Sequence, residues 1–146
     1  MHERLGMGGA DLSIFQGGSE KHMRPSTCLL PGTLAGLKEA GANDSFYWIP
    51  FMANFPGVNG VLGDTDGHVY TIQATIASTH TSPEQGIKKV WEQFRPAIRT
   101  SHTWHFVVIT DGKQAADAYV ESKKLCNFTL GEARAHVQVW ACVLSL

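Results

Sequence analysis

The stretch from Val58 to His80, VNGVLGDTDGHVYTIQATIASTH, constrains this chain most. Residues 58–62 have the length and branched-apolar character of a short strand. Gly63-Asp64-Thr65-Asp66-Gly67 is a turn made of residues that tolerate positive φ. Residues 68–76 then read as the returning strand. Side chains of a strand alternate between faces, so Tyr70, Ile72, Ala74 and Ile76 share one face and Val69, Thr71, Gln73 and Thr75 the other. The first face is apolar and is expected on the core. The second sets Gln73 beside Thr75, with Asn59 on the neighbouring strand, so a polar cluster of Asn59, Gln73 and Thr75 is expected on one side of the hairpin. Such residues also serve simply as a solvated or hydrogen-bonded face, and Asn59 as part of a bulge or turn with Gly57 and Gly60.

Around this hairpin the remaining signals are uneven. Residues 1–10 read as the end of a helix stopped by Gly6, Gly8 and Gly9, the remnant of a longer element in a chain shortened at its N-terminus. Residues 11–42 show no sustained period, and residues 1–45 are expected to form a mostly irregular arm over the core, with one or two helical turns near Leu34. The run Phe46-Tyr-Trp-Ile-Pro-Phe-Met52 is an aromatic strand that Pro50 confines to an edge, a strand end or a bulge. Ser82, Pro83 and Gln85 form a helix start with a capping box. Ile87, Val90, Trp91, Phe94 and Ile98 follow at helical spacing, which predicts a helix over 83–98. The nearly continuous apolar run Trp104-His-Phe-Val-Val-Ile-Thr110 suits a strand buried on both faces. A second helix is expected over 113–125, with Ala115, Ala116, Tyr119 and Val120 inward, then a short helical turn from Thr129 and a last strand over 137–144. This order predicts a single domain over 1–146, with its core in 46–146: an α/β fold with a mixed central β-sheet and flanking helices.

Composition excludes more than it assigns. The 146 residues carry a formal charge of −1 and a sequence pI near 6.6, so no global field draws the chain to nucleic acid or to an anionic membrane. No apolar run approaches the roughly 18 residues of a membrane span, and the N-terminal residues lack a signal-peptide core. Cys28, Cys126 and Cys142 are widely spaced and lack zinc-site spacing, which fits reduced thiols in an intracellular compartment.

The hairpin's pattern bears on chemistry. Metal-dependent phosphodiester cleavage holds magnesium with carboxylates, and one arrangement sets an aspartate on one hairpin strand and an acidic-x-lysine pair on the next. Asn59 and Gln73-x-Thr75 occupy those positions. Together with Tyr47-Trp-Ile-Pro50, Asn54-Phe-Pro-Gly57, His80, Gly86 and Trp104-His-Phe-Val-Val108, they make residues 47–111 similar to the PD-(D/E)xK nuclease-like domain of Crinkler and retrotransposon-hot-spot-type proteins of fungi and other eukaryotes. His2-Glu3-x-Leu5 resembles the end of that family's first helix.

The resemblance implies a restriction-endonuclease-like core, an intracellular setting that includes the nucleus, and Mg2+ or Mn2+ as cofactor. It implies site positions at Asn59, Gln73 and Thr75, with Gln73 on the metal. Where it implies an aspartate, the chain has Asn59, so two expectations stand: a nuclease-like domain acting on nucleic acid, and a non-catalytic, effector-like module binding nucleic acid or protein. Lys88 and Lys89 are candidate backbone-phosphate contacts, or a solvated helix face shared with Arg95 and Arg99. Asp64-x-Asp66-Gly is read as a turn, His80 as a loop hydrogen-bonder, His102 and His105 as a chance pair flanking Trp104, and Trp91, Trp104 and Trp140 as core.

Overall fold

The computed structural model describes residues 5–6, 9–52, 55, 57–74, 83–124, 129–130 and 135–144. Its strands are β1 (Leu12–Gln16), β2 (Ser19–Met23), β3 (Phe46–Trp48), β4 (Gly60–Gly63), β5 (His68–Ala74), β6 (Thr103–Thr110), β7 (Thr129–Leu130) and β8 (Ala135–Val143). Its helices are a 3-10 segment at Leu34–Glu39 and α1 (Pro83–Gln93), α2 (Pro96–Ser101) and α3 (Lys113–Lys124). Seven strands run in the order β2-β1-β8-β6-β5-β4-β3, and β7 pairs with β8 outside that path. β3, β4 and β5 form an antiparallel meander; β5, β6 and β8 are parallel. The fold is thus mixed α/β with a mixed sheet, as the element order predicts.

β6 is the centre, and its alternation builds two cores. Trp104, Phe106 and Val108 face a cluster with Val69 of β5, Ile87 and Val90 of α1, Ile98 of α2 and Leu37 of the 3-10 segment. Val107 and Ile109 face a second cluster with Tyr70 and Ile72 of β5, Trp140 and Cys142 of β8, and Leu12, Ile14 and Met23 of the first two strands. The parallel strands need crossover connections, and α1–α2 and α3 supply them. These helices cover the first cluster's face and β1–β2 the second, which is why the continuous apolar run of β6 reads correctly as a doubly buried strand.

The irregular arm expected over 1–45 is corrected in its first half. Leu12–Gln16 and Ser19–Met23 form an antiparallel hairpin in register Leu12↔Met23 to Gln16↔Ser19, closed by Gly17-Gly18. Gly17 takes φ +58°, a conformation a two-residue turn demands and glycine supplies without strain. The hairpin is tied to the last strand by Phe15↔Ala141 and by Gln16 Nε2, which donates to Val139 O at 2.9 Å. It also folds across the sheet. β2 is four strand positions from β5 along the ladder, about 19 Å if the sheet were flat. Yet Lys21 Nζ lies 3.4 Å from His68 Nε2, and Arg24 meets Asp66 at 3.5 Å. The hairpin is the lid of the second core.

Three further expectations shift. The helix over 83–98 divides into α1 and α2 at Pro96, which lacks the N–H a continuous helix requires and drives Arg95 to extended backbone, φ −61° and ψ 148°. Thr129–Leu130 pairs with Ala135 and His136 as a strand instead of opening a helical turn. Ala115, expected inward on α3, is exposed, whereas Val120 is buried as expected. The aromatic strand β3 does lie at the end of the strand path, where Pro50 confines it, and the segment beside it covers that edge: Tyr47 N donates to Cys28 O and Leu30 N to Tyr47 O. Expected features at 1–4, 7–8, 53–54, 56, 75–82, 125–128 and 131–134 lie outside the described residues.

The hairpin's role is measurable. Ile14 is fully buried, so Ile14→Ala should cost about 2–5 kcal/mol in urea unfolding, the cost of truncating a core residue. A loss below about 0.5 kcal/mol, typical of a surface position, would mean that the hairpin is not part of the core.

Candidate functional site

The antiparallel register Gly60↔Ile72 sets Asn59 opposite Gln73, one step further along the two strands. The chain thus brings these two amides to one end of the β4–β5 hairpin. Their surroundings differ. Asn59 is exposed, and its backbone N–H donates to Ile72 O at 2.7 Å. Its side-chain Oδ1 accepts from Ala74 N–H at 2.8 Å. Asn59 therefore prolongs the ladder past β4, holding the last N–H of β5 with a side chain where a backbone carbonyl would stand. Gln73 is buried, 6% exposed. The face it shares with Val69 and Thr71 is not a solvated polar face. Thr71 is fully buried, and its Oγ1 donates to His105 O at 2.9 Å, across to β6. Thr75 and His80 lie outside the described residues.

These positions do not fit a magnesium or manganese site. A hard divalent cation takes carboxylate oxygens, which bring both negative charge and lone pairs. Asn59 and Gln73 are neutral amides, and the Asn59 oxygen already accepts a backbone N–H. Asp64 is at the opposite end of the hairpin, and its Oδ1 accepts from Asp66 N at 2.9 Å and His68 N at 3.0 Å. That is an Asx turn, with Gly67 at φ +85° completing the reversal, so Asp64 shapes the turn. Asp66 pairs with Arg24. Among the described residues no group of three His, Cys, Asp or Glu side chains is placed to hold a metal. Lys88 and Lys89 are exposed on α1, off the stripe of Ile87 and Val90.

A second constellation lies on the other face of β5, and sequence reasoning missed it. Parallel pairing sets His105 beside Tyr70. The rings stack at 4.7 Å and 16°, and His105 lies 5.1 Å, centroid to centroid, from His68. Trp140 Nε1–H, on β8, donates to His105 Nδ1 at 3.0 Å. His105 Nε2 is 2.9 Å from His68 Nδ1, and His68 Nε2 is 3.4 Å from Lys21 Nζ. A chain of polar contacts thus runs from the indole of β8 through two imidazoles to the lysine of β2. His105 is only 2% exposed. Its burial first, then the nearby His68 and Lys21, push its pKa down to about 3. Burial also raises the Tyr70 hydroxyl, which has no hydrogen-bond partner among the described residues.

His105 does not pair with His102. The latter is buried beside Ser101, whose Oγ is 2.9 Å from His102 Nδ1, and desolvation lowers its pKa. Strand alternation puts His105 with Val107 and Ile109 and His68 with Tyr70. That much was readable, but the register that joins the two strands was not.

No family model, curated protein or solved structure matches this chain. Among the described residues no helix is long and apolar enough to cross a membrane.

Two measurements check this geometry. Asn59→Ala should cost about 0.5–1.5 kcal/mol in urea unfolding by freeing Ala74 N–H, while Asn59→Asp keeps an acceptor and stays close to the parent. His105 titrates near 6.5 when unfolded and near 3 when folded, so between those values the unfolded chain binds the extra proton. Stability should be full above about pH 6.5 and fall toward pH 3, by at most about 1.4 kcal/mol per pH unit from this group. His105→Gln should flatten that slope, leaving the smaller contribution of His102, which acts in the same direction.

Proposed function

We propose that this chain is a nucleic-acid-binding module on a nuclease-like scaffold that has lost the metal chemistry of its kind. The state of Asn59 carries the reading. At the position where the resemblance implies a metal-binding aspartate, a neutral side chain spends its oxygen on the backbone of the adjacent strand, opposite a second amide, Gln73. Such a pair organises the end of a hairpin and holds no hard cation. The scaffold reading is supported by the order of elements: the meander β3–β4–β5, the helices α1 and α2, then β6 parallel to β5. That is the hairpin, helix and further strand among which the resemblance sets its site. The ligand class is supported by Lys88 and Lys89, whose ammonium groups suit backbone phosphates and carry no base specificity.

A protein-binding role is the second reading, and a specific surface favours it. Phe51 is 87% exposed, Ile49 and Met52 are exposed with it on the chain that continues β3, and Leu29 is exposed on the segment paired with β3 at Tyr47.

The experiment is a titration of the folded protein with magnesium and manganese by calorimetry, with cleavage and binding assays on mixed DNA and RNA. The expected result is no cleavage, with metal-independent binding that weakens as salt rises. Changing both Lys88 and Lys89 to glutamate should reduce the salt slope by about two. Metal-dependent cleavage abolished by Gln73→Ala would overturn this reading in favour of an active nuclease. Absence of nucleic-acid binding by a well-folded sample would leave the protein-binding role.

A further inference from the structure

We propose that Lys21 and His68 form a binding site for an oxyanion group, set by a fixed order of protons along the Trp140–His105–His68 chain. The inference stands apart from the nucleic-acid reading. It uses the face of β5 opposite Gln73, and it does not depend on Asn59, Lys88 or Lys89.

Donors and acceptors along the chain fix where its protons lie. An indole N–H only donates, so His105 Nδ1 accepts and carries no proton. A neutral imidazole has one N–H, so the His105 proton is on Nε2. That proton points at His68 Nδ1, 2.9 Å away, which must then be the acceptor. His68 therefore carries its ring proton on Nε2. Nε2 faces Lys21 Nζ at 3.4 Å, and an ammonium group has only donors. The three contacts are not all hydrogen bonds at once. The one that fails is decided by cost. Breaking the contact of Trp140 with His105, or of His105 with His68, leaves a buried N–H without an acceptor, about 1–3 kcal/mol. Lys21 is half-buried and its contact is the longest of the three. The lysine and the imidazole are thus two donors side by side.

Two donors held together need an acceptor with two oxygens or two lone pairs. The neighbouring carboxylates are committed elsewhere. Asp64 closes its turn, Asp66 pairs with Arg24 at 3.5 Å, and Glu20 lies 3.6 Å from His22. Among the described residues Lys21 makes no ion pair. A phosphate or carboxylate oxygen pair placed across Lys21 Nζ and His68 Nε2–H would satisfy both donors, with a charge-assisted bond from the lysine. The depressed pKa of His105 fits this order of protons, since it keeps that ring neutral and its Nε2–H fixed on His68. The buried indole and the stacked Tyr70 hold the imidazoles in place, so the site is organised before the anion arrives.

The test is nitrogen-resolved NMR of the histidine side chains, with inorganic phosphate and then acetate as probes. The expected spectrum has His68 and His105 both protonated on Nε2. Phosphate should shift the His68 Nε2–H signal saturably and leave His102 unmoved. Lys21→Met, at a half-buried position, should weaken phosphate binding about tenfold with both tautomers retained. Trp140→Phe removes the indole donor. It should let His68 take its other tautomer and weaken phosphate binding with Lys21 intact. Acetate binding as tightly as phosphate would assign the site to carboxylates and support the oxyanion proposal equally. A His68 protonated on Nδ1 in the parent protein would overturn the proposal, as would the lack of a saturable shift. So would phosphate binding unchanged in Lys21→Met.

Discussion

The burial of β6 on both faces is the constraint on which the rest of the structure depends. Trp104, Phe106 and Val108 need one apolar layer, and Val107 and Ile109 need another. Parallel pairing on both sides of β6 forces the chain to cross over twice, and those crossovers are helices packed on one face. The described residues of these helices do not reach the other face. The β1–β2 hairpin is its cover, and it brings Leu12, Ile14 and Met23 to the apolar surface the helices leave open. Both constellations described above are by-products of this sandwiching. Gln73 is buried because its face of β5 lies under the helices. His105 is buried because its face of β6 lies under the hairpin.

What was legible in the sequence was local. The turn at Gly63 to Gly67, the continuous apolar run of β6, the start of α1 at Pro83 and the edge position of β3 all follow from turn chemistry, alternation and proline geometry. Pro96 is the signal that the single helix over 83–98 passes over; the stripe is kept because α2 returns Ile98 to the same core. The first hairpin was hidden because its second strand, Ser-Glu-Lys-His-Met, is almost wholly polar and Met23 is its one buried residue. Gly17-Gly18 was the available signal, a two-residue turn between segments of equal length.

The candidate site divides in the same way. That Asn59 and Gln73 share one end of a hairpin follows from the turn and the period of two. That the Asn59 oxygen holds Ala74 N–H does not, since nothing in the sequence says which partner an exposed amide takes. The histidines are a stronger case. His68, His105 and Trp140 stand on three different strands and meet only through the parallel registers of β5, β6 and β8. Lys21 joins them only because the hairpin folds over. No spacing along the chain encodes such a meeting, so a motif search over adjacent residues sees His102 and His105 and pairs the wrong two.

The pairing of Phe15 with Ala141 has a consequence for how the molecule is made. A two-stranded hairpin is marginal alone, and among the described strands β1 finds its other neighbour in β8, more than a hundred residues later. During synthesis the meander and β6 emerge early, yet one side of the growing sheet stays bare until β8 has left the ribosome. The β1–β2 hairpin, translated ahead of β8, is thus secured after it. An interrupted chain would display the apolar faces of Ile14 and Tyr70 to whatever lies nearby. Docking of this hairpin into the sheet waits on the arrival of β8.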